Sequence, residues 1–338
     1  MKSHTTSAAS EGLIDVHAHA LPPMFLAAIE AAGGDPSGFP SPDWSPQAAV
    51  NSLNLSGASL GILSISAPGV SIAGTGQAAR NLARALNAQL ASYATSSETS
   101  SRLSFFGALP DWQDVNGTLA ELDFLFSQQK LCKGVTVFTS YGSYLPSDPL
   151  FKPIWDRLNH YRALIFLHPT TLDIIPRFVA GGLPQPVIDY PIATTRAVVD
   201  IIFSGIMRDY TDIDIILSHA GGTLPYLANR IECLLLNPAL ANLASISLED
   251  VKASFAKLYF DTALSTSAAQ LDSLLIFTNP DRVLFGSDFP YAGREAIAAV
   301  LEQYYAFVAT NTRGSALRPE VLRENTLDLL ARHEHRDD

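Results

Sequence analysis

Apolar residues recur along the chain in eight short runs, at 13–17, 60–65, 103–109, 133–138, 163–168, 213–218, 257–261 and 282–287. Such runs are short for helices and too continuous for strands with one wet face. They read as strands covered on both sides. Between most of them lie stretches with helical character, at 78–93, 115–129, 149–161, 194–209 and 268–278. Alternating strand and helix predicts a parallel sheet. Eight such units in roughly 280 residues suit a (β/α)8 TIM barrel better than a doubly wound sheet. No G-x-G-x-x-G follows the first run, which also counts against a dinucleotide-binding fold.

The polar residues that close these runs are the informative ones. The first ends in His17-Ala18-His19, and residues i and i+2 on a strand point the same way, so both imidazoles can meet one ion. The motif alone is weak, as a second H-x-H in the charged tail, His333-Glu334-His335, shows. His168 closes the fifth run, His219 the sixth and Asp288 the eighth. Metal-seeking side chains at the ends of separate strands are what a catalytic barrel requires. Three imidazoles and a carboxylate, His17, His19, His168 and Asp288, leave a divalent ion open positions for water or substrate, the catalytic pattern. His219, in Ser218-His219-Ala220-Gly221-Gly222, then serves as acid or base, with a fourth-ligand role as its competitor. Read singly, Asp288 is also an N-cap and His168 a strand-end histidine bonded to backbone. His4, His160, His333 and His335 read as surface residues. Lys133, on the fourth run, sits at its beginning, the wrong end to bridge two metals, so one ion is expected.

Two long connections interrupt the pattern. Residues 21–46, rich in Gly and Pro, and 170–192, with four prolines, are expected to cover the barrel mouth. The chain of 338 residues, 1–338, reads as one domain with a closing helix and charged tail after residue 313. With 47% hydrophobic and 16% charged residues it can bury a large core. A net charge of −11 and no basic stripe argue against nucleic acid. The uncharged stretch 44–79 is broken by Asn, Ser, Gly and Pro and is no membrane span. Cys132 and Cys233 fit no zinc spacing and read as buried free thiols. Met1 to Ser10 lacks the apolar core of a signal peptide, so the expected location is cytoplasmic.

Taken together, His17, His19, His168, His219 and Asp288 resemble the set of the amidohydrolase superfamily. More narrowly, they resemble its branch of non-oxidative decarboxylases, which includes aminocarboxymuconate semialdehyde decarboxylase. The segments Gly33–Gly38, Ser218–Tyr226, Phe260–Ser265 and Leu284–Pro290 are similar to fungal 6-methylsalicylate decarboxylases of polyketide pathways. The resemblance covers nearly the whole chain. It implies one divalent ion, Zn2+ ahead of Mn2+, no organic cofactor and a small aromatic acid as substrate. It also implies a homodimer in which Arg230 reaches the neighbouring active site; read without the resemblance, Arg230 is a surface helix residue. One departure matters. The muconate enzyme carries a substrate-binding arginine in the loop after strand one, whereas Phe39–Trp44 here has no Arg or Lys, which points to a monocarboxylate with an apolar ring.

The chemistry expected is removal of CO2 from an ortho-hydroxy aromatic acid, best exemplified by 6-methylsalicylate going to m-cresol. Asp288 would carry the proton to the carboxyl-bearing carbon and His219 would orient or relay it. In a rival route, water activated at the metal attacks the substrate with His219 as base. Phe25, Phe289 and Tyr291 are candidates to wall the ring, or else core residues. The same residues also suit hydrolysis of a lactone or amide, the competing function.

Overall fold

In the computed structural model the described residues are 12–99, 101–242, 244 and 246–334. Eight parallel strands follow one another around a sheet in chain order: β1 (Leu13–Ala20), β2 (Ala58–Ile65), β3 (Leu103–Gly107), β4 (Cys132–Phe138), β5 (Leu164–His168), β6 (Asp214–Leu217), β7 (Tyr259–Asp261) and β8 (Val283–Leu284). Each matches one of the eight apolar runs, and helices fill the connections, as the (β/α)8 expectation requires. The sheet closes where the segment after β8 returns to β1. Val16 N–H donates to Phe285 O, His19 N–H to Phe289 O, and Asp288 N–H to His17 O. Asp15 reinforces that seam, accepting the Ser287 hydroxyl at 2.5 Å and the backbone N–H groups of Ser287 and His17 at 3.1 Å each.

Closure explains two sequence details. β1 carries one residue more than β2 between the Asp15↔Gly61 and Ala18↔Leu63 pairs. This bulge re-phases the strand. Ile14 and Val16 can thus fill the barrel interior with Ile62, Phe106 and Phe166, while His17 and His19 also reach inward nearer the mouth. Gly286 is the second detail: a Cβ there would lie 2.7 Å from His17 Cβ and 3.2 Å from Asp261 Cβ. Only glycine lets β8 pack this close to the two.

Apolar helix faces bury the outer side of the strands, and the C-terminal helix Pro319–Arg332 sends Leu329 and Leu330 into the barrel's inner cluster. That helix is tied down by His333, which is no free surface residue. Its ring nitrogens contact Asp214 Oδ2 at 2.8 Å and Arg162 O at 2.6 Å. His160 is exposed as expected, whereas His4 and His335 lie outside the described residues. Cys132 is buried and free, but Cys233 is exposed, contrary to the buried-thiol expectation, because it faces outward on helix Leu224–Leu234. The stretch 194–209 is two helices, Asp189–Phe203 and Ile206–Asp209, parted at Gly205 with φ +86°.

The two insertions touch each other. Ser37 O accepts Gln185 N–H at 3.1 Å, Arg177 donates to Pro36 O, and Gly38 lies against the Phe178 ring. The buried Gln185 side chain holds the second insertion in shape through both backbone groups of Leu172.

Burial would raise the Asp214 carboxyl, but His333, Arg332 and Arg282 hold it below the ordinary carboxylate value. A depressed carboxylate stabilises the fold above its unfolded value, about 3.9, and loses that contribution as pH falls through the folded value. Asp214→Asn should therefore cost about 1–3 kcal/mol at neutral pH. In urea titrations across pH, the gap to the parent should close in the acid range below about pH 4. A gap that persists there would contradict this account.

Candidate metal centre

The strand ends gather four donor groups at one point. His17 Nε2 and His19 Nε2 lie 3.2 Å apart. Asp288 Oδ1 is 3.3 Å from the first and 3.2 Å from the second. The His168 ring sits edge-on to both, with centroids 5.3 Å and 4.7 Å away. His219 takes the other carboxylate oxygen, its Nε2 being 3.6 Å from Asp288 Oδ2. Two overlapping sets, His17–His19–His168 and His17–His219–Asp288, each bring one donor atom per residue within 4.8 Å of one another. The five residues singled out from strand ends therefore converge.

What turns the rings is legible atom by atom. His17 Nδ1 donates to Asp261 Oδ2 at 2.8 Å, and His168 Nδ1 donates to Pro169 O at 2.7 Å. Ser64 Oγ, which donates to Ala18 O at 3.4 Å, lies 2.9 Å from His19 Nδ1 and accepts from it. With Nδ1 occupied, each ring presents its Nε2 lone pair to the centre. Lone pairs and a carboxylate oxygen at about 3 Å repel unless a positive charge lies among them. The titration pattern agrees. A proton on His17 would answer the same demand for positive charge: burial pulls that ring down, yet Asp261 and Asp288 overcome it and raise it to about 10. Burial lowers His19, and burial with the neighbouring imidazoles puts His168 well below its ordinary value. Burial would raise Asp288, but His17, His19 and His219 hold it well below the carboxylate range. A site that demands positive charge and offers three imidazoles plus a carboxylate fits a divalent cation.

Asp261 was not singled out from sequence, although it closes the seventh apolar run as the histidines close theirs. Fully buried, it spends Oδ2 on His17 and Oδ1 on the N–H groups of His219 (3.0 Å) and Ala263 (2.9 Å). One carboxylate thus ties a donor ring to the backbone that carries His219. That backbone is left-handed: His219 has φ 55°, Ala220 53°, and Asp288 62°. Non-glycine residues held there store strain, which clusters at working sites. Gly222 completes the turn, since a Cβ would meet Pro191 O at 2.0 Å.

A cavity of about 390 Å³ opens over the cluster. His19, His168, His219 and Asp288 face into it, and so does Tyr291, edge-on to His19 and Phe39 with both ring centroids 5.4 Å away. The other proposed walls differ. Phe25, on helix Pro23–Ala31 of the first insertion, is fully buried in the core and lines no part of the cavity. Phe289 packs behind the strands near Leu53 and Leu63, because Asp288 turns inward and its neighbour alternates out. Phe39, Tyr190, Val187 and Leu264 supply walls that sequence reasoning missed: Phe39 and Leu264 sit on irregular loops, Val187 ends the single 3-10 turn Gln185–Val187, and Tyr190 opens helix Asp189–Phe203, where too little of the period precedes it to reveal facing. Arg230 is exposed on helix Leu224–Leu234 and does not reach its own chain's cavity.

A parallel barrel whose strand ends converge on a His/Asp cluster suited to a cation, beneath a cavity at the barrel mouth, defines a metal-dependent barrel enzyme. Residues 14–332 match the amidohydrolase family model, and the chain belongs to that family. It is 39% identical over 287 residues to a 6-methylsalicylic acid decarboxylase of Penicillium expansum, covering 84% of this chain and 86% of that one. A second relative of that name, from Aspergillus aculeatus, is 38% identical over 328 residues, 94% and 96% of the two chains. The fold is also that of a 5-carboxyvanillate decarboxylase from Novosphingobium aromaticivorans, complexed with manganese and 4-hydroxy-3-methoxy-5-nitrobenzoic acid. That structure has a TM-score of 0.79 at 16% identity, over 96% of this chain and 97% of the other.

Replacing Asp261 with Asn keeps an oxygen for the His219 and Ala263 N–H groups but turns an amide donor toward His17 Nδ1. Zinc affinity, measured by competition with a chromogenic chelator, should fall about 10–100-fold while the fold persists. An unchanged affinity would remove the orienting role assigned to this carboxylate.

Proposed function

We infer that the protein is a metal-dependent, non-oxidative decarboxylase of an ortho-hydroxy aromatic carboxylic acid, with 6-methylsalicylate as substrate and m-cresol and CO2 as products. The observation that carries this is the named activity of relatives 38–39% identical over most of the chain, with the Asp288 carboxylate placed to serve it, one oxygen among the imidazoles and the other toward His219. His17, His19, His168 and Asp288 would hold a single divalent ion. The imidazole-rich set favours Zn2+, with Mn2+ second, the ion in the carboxyvanillate structure. When bound, the ion would chelate the carboxylate and ortho oxygen together and hold negative charge there.

The chain's own groups supply the rest. The apolar walls and Tyr291 hold the ring flat above the cluster and keep water from it. Asp288, a carboxylate before substrate enters, would take the ortho-hydroxyl proton as the ring docks and deliver it to the carboxyl-bearing carbon, so that the carbon–carbon bond breaks without leaving an aryl anion. Loss of CO2 then restores aromaticity. His219 relays the replacement proton: its Nε2 faces Asp288, and its Nδ1 is buried with no hydrogen-bond partner among the described residues. A lactone or amide hydrolase could use the same division of Asp288, so the relatives' named activity is what favours decarboxylation over hydrolysis.

Arg230 would complete the cavity of a second copy in a homodimer. The described lining holds no Lys or Arg. Arg230 follows Tyr226, 85% exposed, by one turn on the same helix face, a surface a partner would cover. No helix of the described chain is long and apolar enough to cross a membrane; a cytoplasmic location is part of this proposal.

Incubating the zinc-loaded protein with 6-methylsalicylate should give equal amounts of m-cresol and CO2. Chelation should abolish this, and Asp288→Asn should lower it by at least about 10³-fold. A ring-opened or hydrolysed product, or a phenol formed without metal, would contradict the reading. For the dimer, mixing Arg230→Ala with Asp288→Asn protein should restore activity that neither shows alone, because one site per mixed dimer is then whole. A mixture as inactive as its parts would refute the shared site.

A further inference from the structure

The cavity wall contains two carboxylates, and only one belongs to the donor cluster. Asp35 comes from the loop after helix Pro23–Ala31, within the first insertion. It is fixed in place: its Oδ1 accepts Ser37 N–H at 2.7 Å, and Ser37 O in turn accepts Gln185 N–H from the second insertion. No Lys or Arg of the described lining answers its charge. Arg177, the cation within its electrostatic reach, is exposed outside the cavity and hydrogen-bonded to Pro36 O. Burial accordingly pushes the Asp35 carboxyl up, against the pull of Ser37 and Arg177.

Two phenols share this part of the wall. Tyr190 and Tyr291 both lie within the field of Asp35, and burial raises both hydroxyls. The Tyr291 hydroxyl is buried and has no hydrogen-bond partner among the described residues, Ser66 being its polar neighbour. A buried hydroxyl without a partner costs free energy that a ligand can recover. An acceptor carboxylate and an unpaired phenol in one wall match a group that donates to the first and accepts from the second. A hydroxyl does both. A second carboxylate would face like charge in a half-buried setting, with nothing in the described wall to offset it.

We infer that Asp35, together with Tyr291, is a specificity-determining pair that accepts a ring hydroxyl and rejects a second carboxylate on the aromatic substrate. The inference rests on the aromatic-acid reading above and goes beyond it: 6-methylsalicylate carries no ring hydroxyl besides the ortho one, so toward that substrate the pair acts by excluding a second charge, and a further ring hydroxyl would bind more tightly.

The test uses unreactive probes, 2-nitrophenols in which nitro replaces the scissile carboxylate, carrying a hydroxyl or a carboxylate at each remaining ring position in turn. Calorimetric titration of the zinc-loaded protein should show, at one position or more, the hydroxyl probe binding about 100-fold tighter than its carboxylate counterpart. Asp35→Asn retains Oδ1 for the Ser37 N–H and so keeps the loop. It should shrink that ratio about tenfold or more, through tighter binding of the carboxylate probe. Tyr291→Phe should weaken the hydroxyl probe about tenfold and leave the carboxylate probe unchanged. A ratio that is the same in parent and Asp35→Asn at every ring position would overturn the inference. Because no probe can lose CO2, the outcome does not depend on turnover. Preference for the hydroxyl probe in a protein that makes no phenol from any salicylate would refute the decarboxylase and leave the selector standing.

Discussion

The rest of the site follows from one electrostatic constraint: two imidazole nitrogens and a carboxylate oxygen are held about 3 Å apart in a buried pocket, with a third imidazole nitrogen within 4.8 Å of the first two. Such a cluster is unstable without positive charge at its centre. The fold enforces it from several directions at once. Asp261, Pro169 O and Ser64 occupy the outward ring nitrogens, so the rings cannot turn away. The β1–β8 seam places Asp288 directly on the carbonyl of His17. The energy of burial and strain stored here would be recovered by a bound cation.

Barrel closure and chemistry are the same event in this molecule. The hydrogen bonds that join the segment after β8 to β1 are also those that set the Asp288 carboxylate among the imidazoles. Asp15, a buried carboxylate pushed up to about 6 by burial despite its Ser287 and His17 donors, belongs to that seam and to no reactive step. Asp261 does the equivalent work one strand earlier. Above them the two insertions meet through Ser37, Gln185 and Arg177 and give the cavity the part of its wall that strand ends cannot provide.

Much of this could be read from the sequence, and what could not has physical reasons. Strands buried on both faces leave continuous apolar runs, so all eight were visible, and a polar residue terminating such a run has little reason to be there except function. His17, His19, His168, His219 and Asp288 were found that way. Asp261 met the same criterion and was passed over, because a lone carboxylate after a run of mixed polarity carries no ligand spacing. The bulge in β1 leaves no mark, since one residue more does not interrupt a run buried on both faces. Phe25 and Phe289 were misplaced as walls because chain proximity to a site says nothing of facing: a helix turn buries the first, and a left-handed Asp288 sends the second behind the sheet. His333 was taken for a surface residue because the acceptors that hold it, Asp214 and Arg162 O, are distant in sequence.

The account stands or falls on where a cation binds. The most direct measurement is a crystal structure of zinc-loaded protein with anomalous data at the metal edge. The predicted result is a single peak about 2.0–2.2 Å from the Nε2 atoms of His17, His19 and His168 and from an Asp288 oxygen, with Asp261 still on His17 Nδ1. A peak elsewhere in the barrel, two peaks, or an ion that leaves out Asp288 or one of these histidines would contradict it.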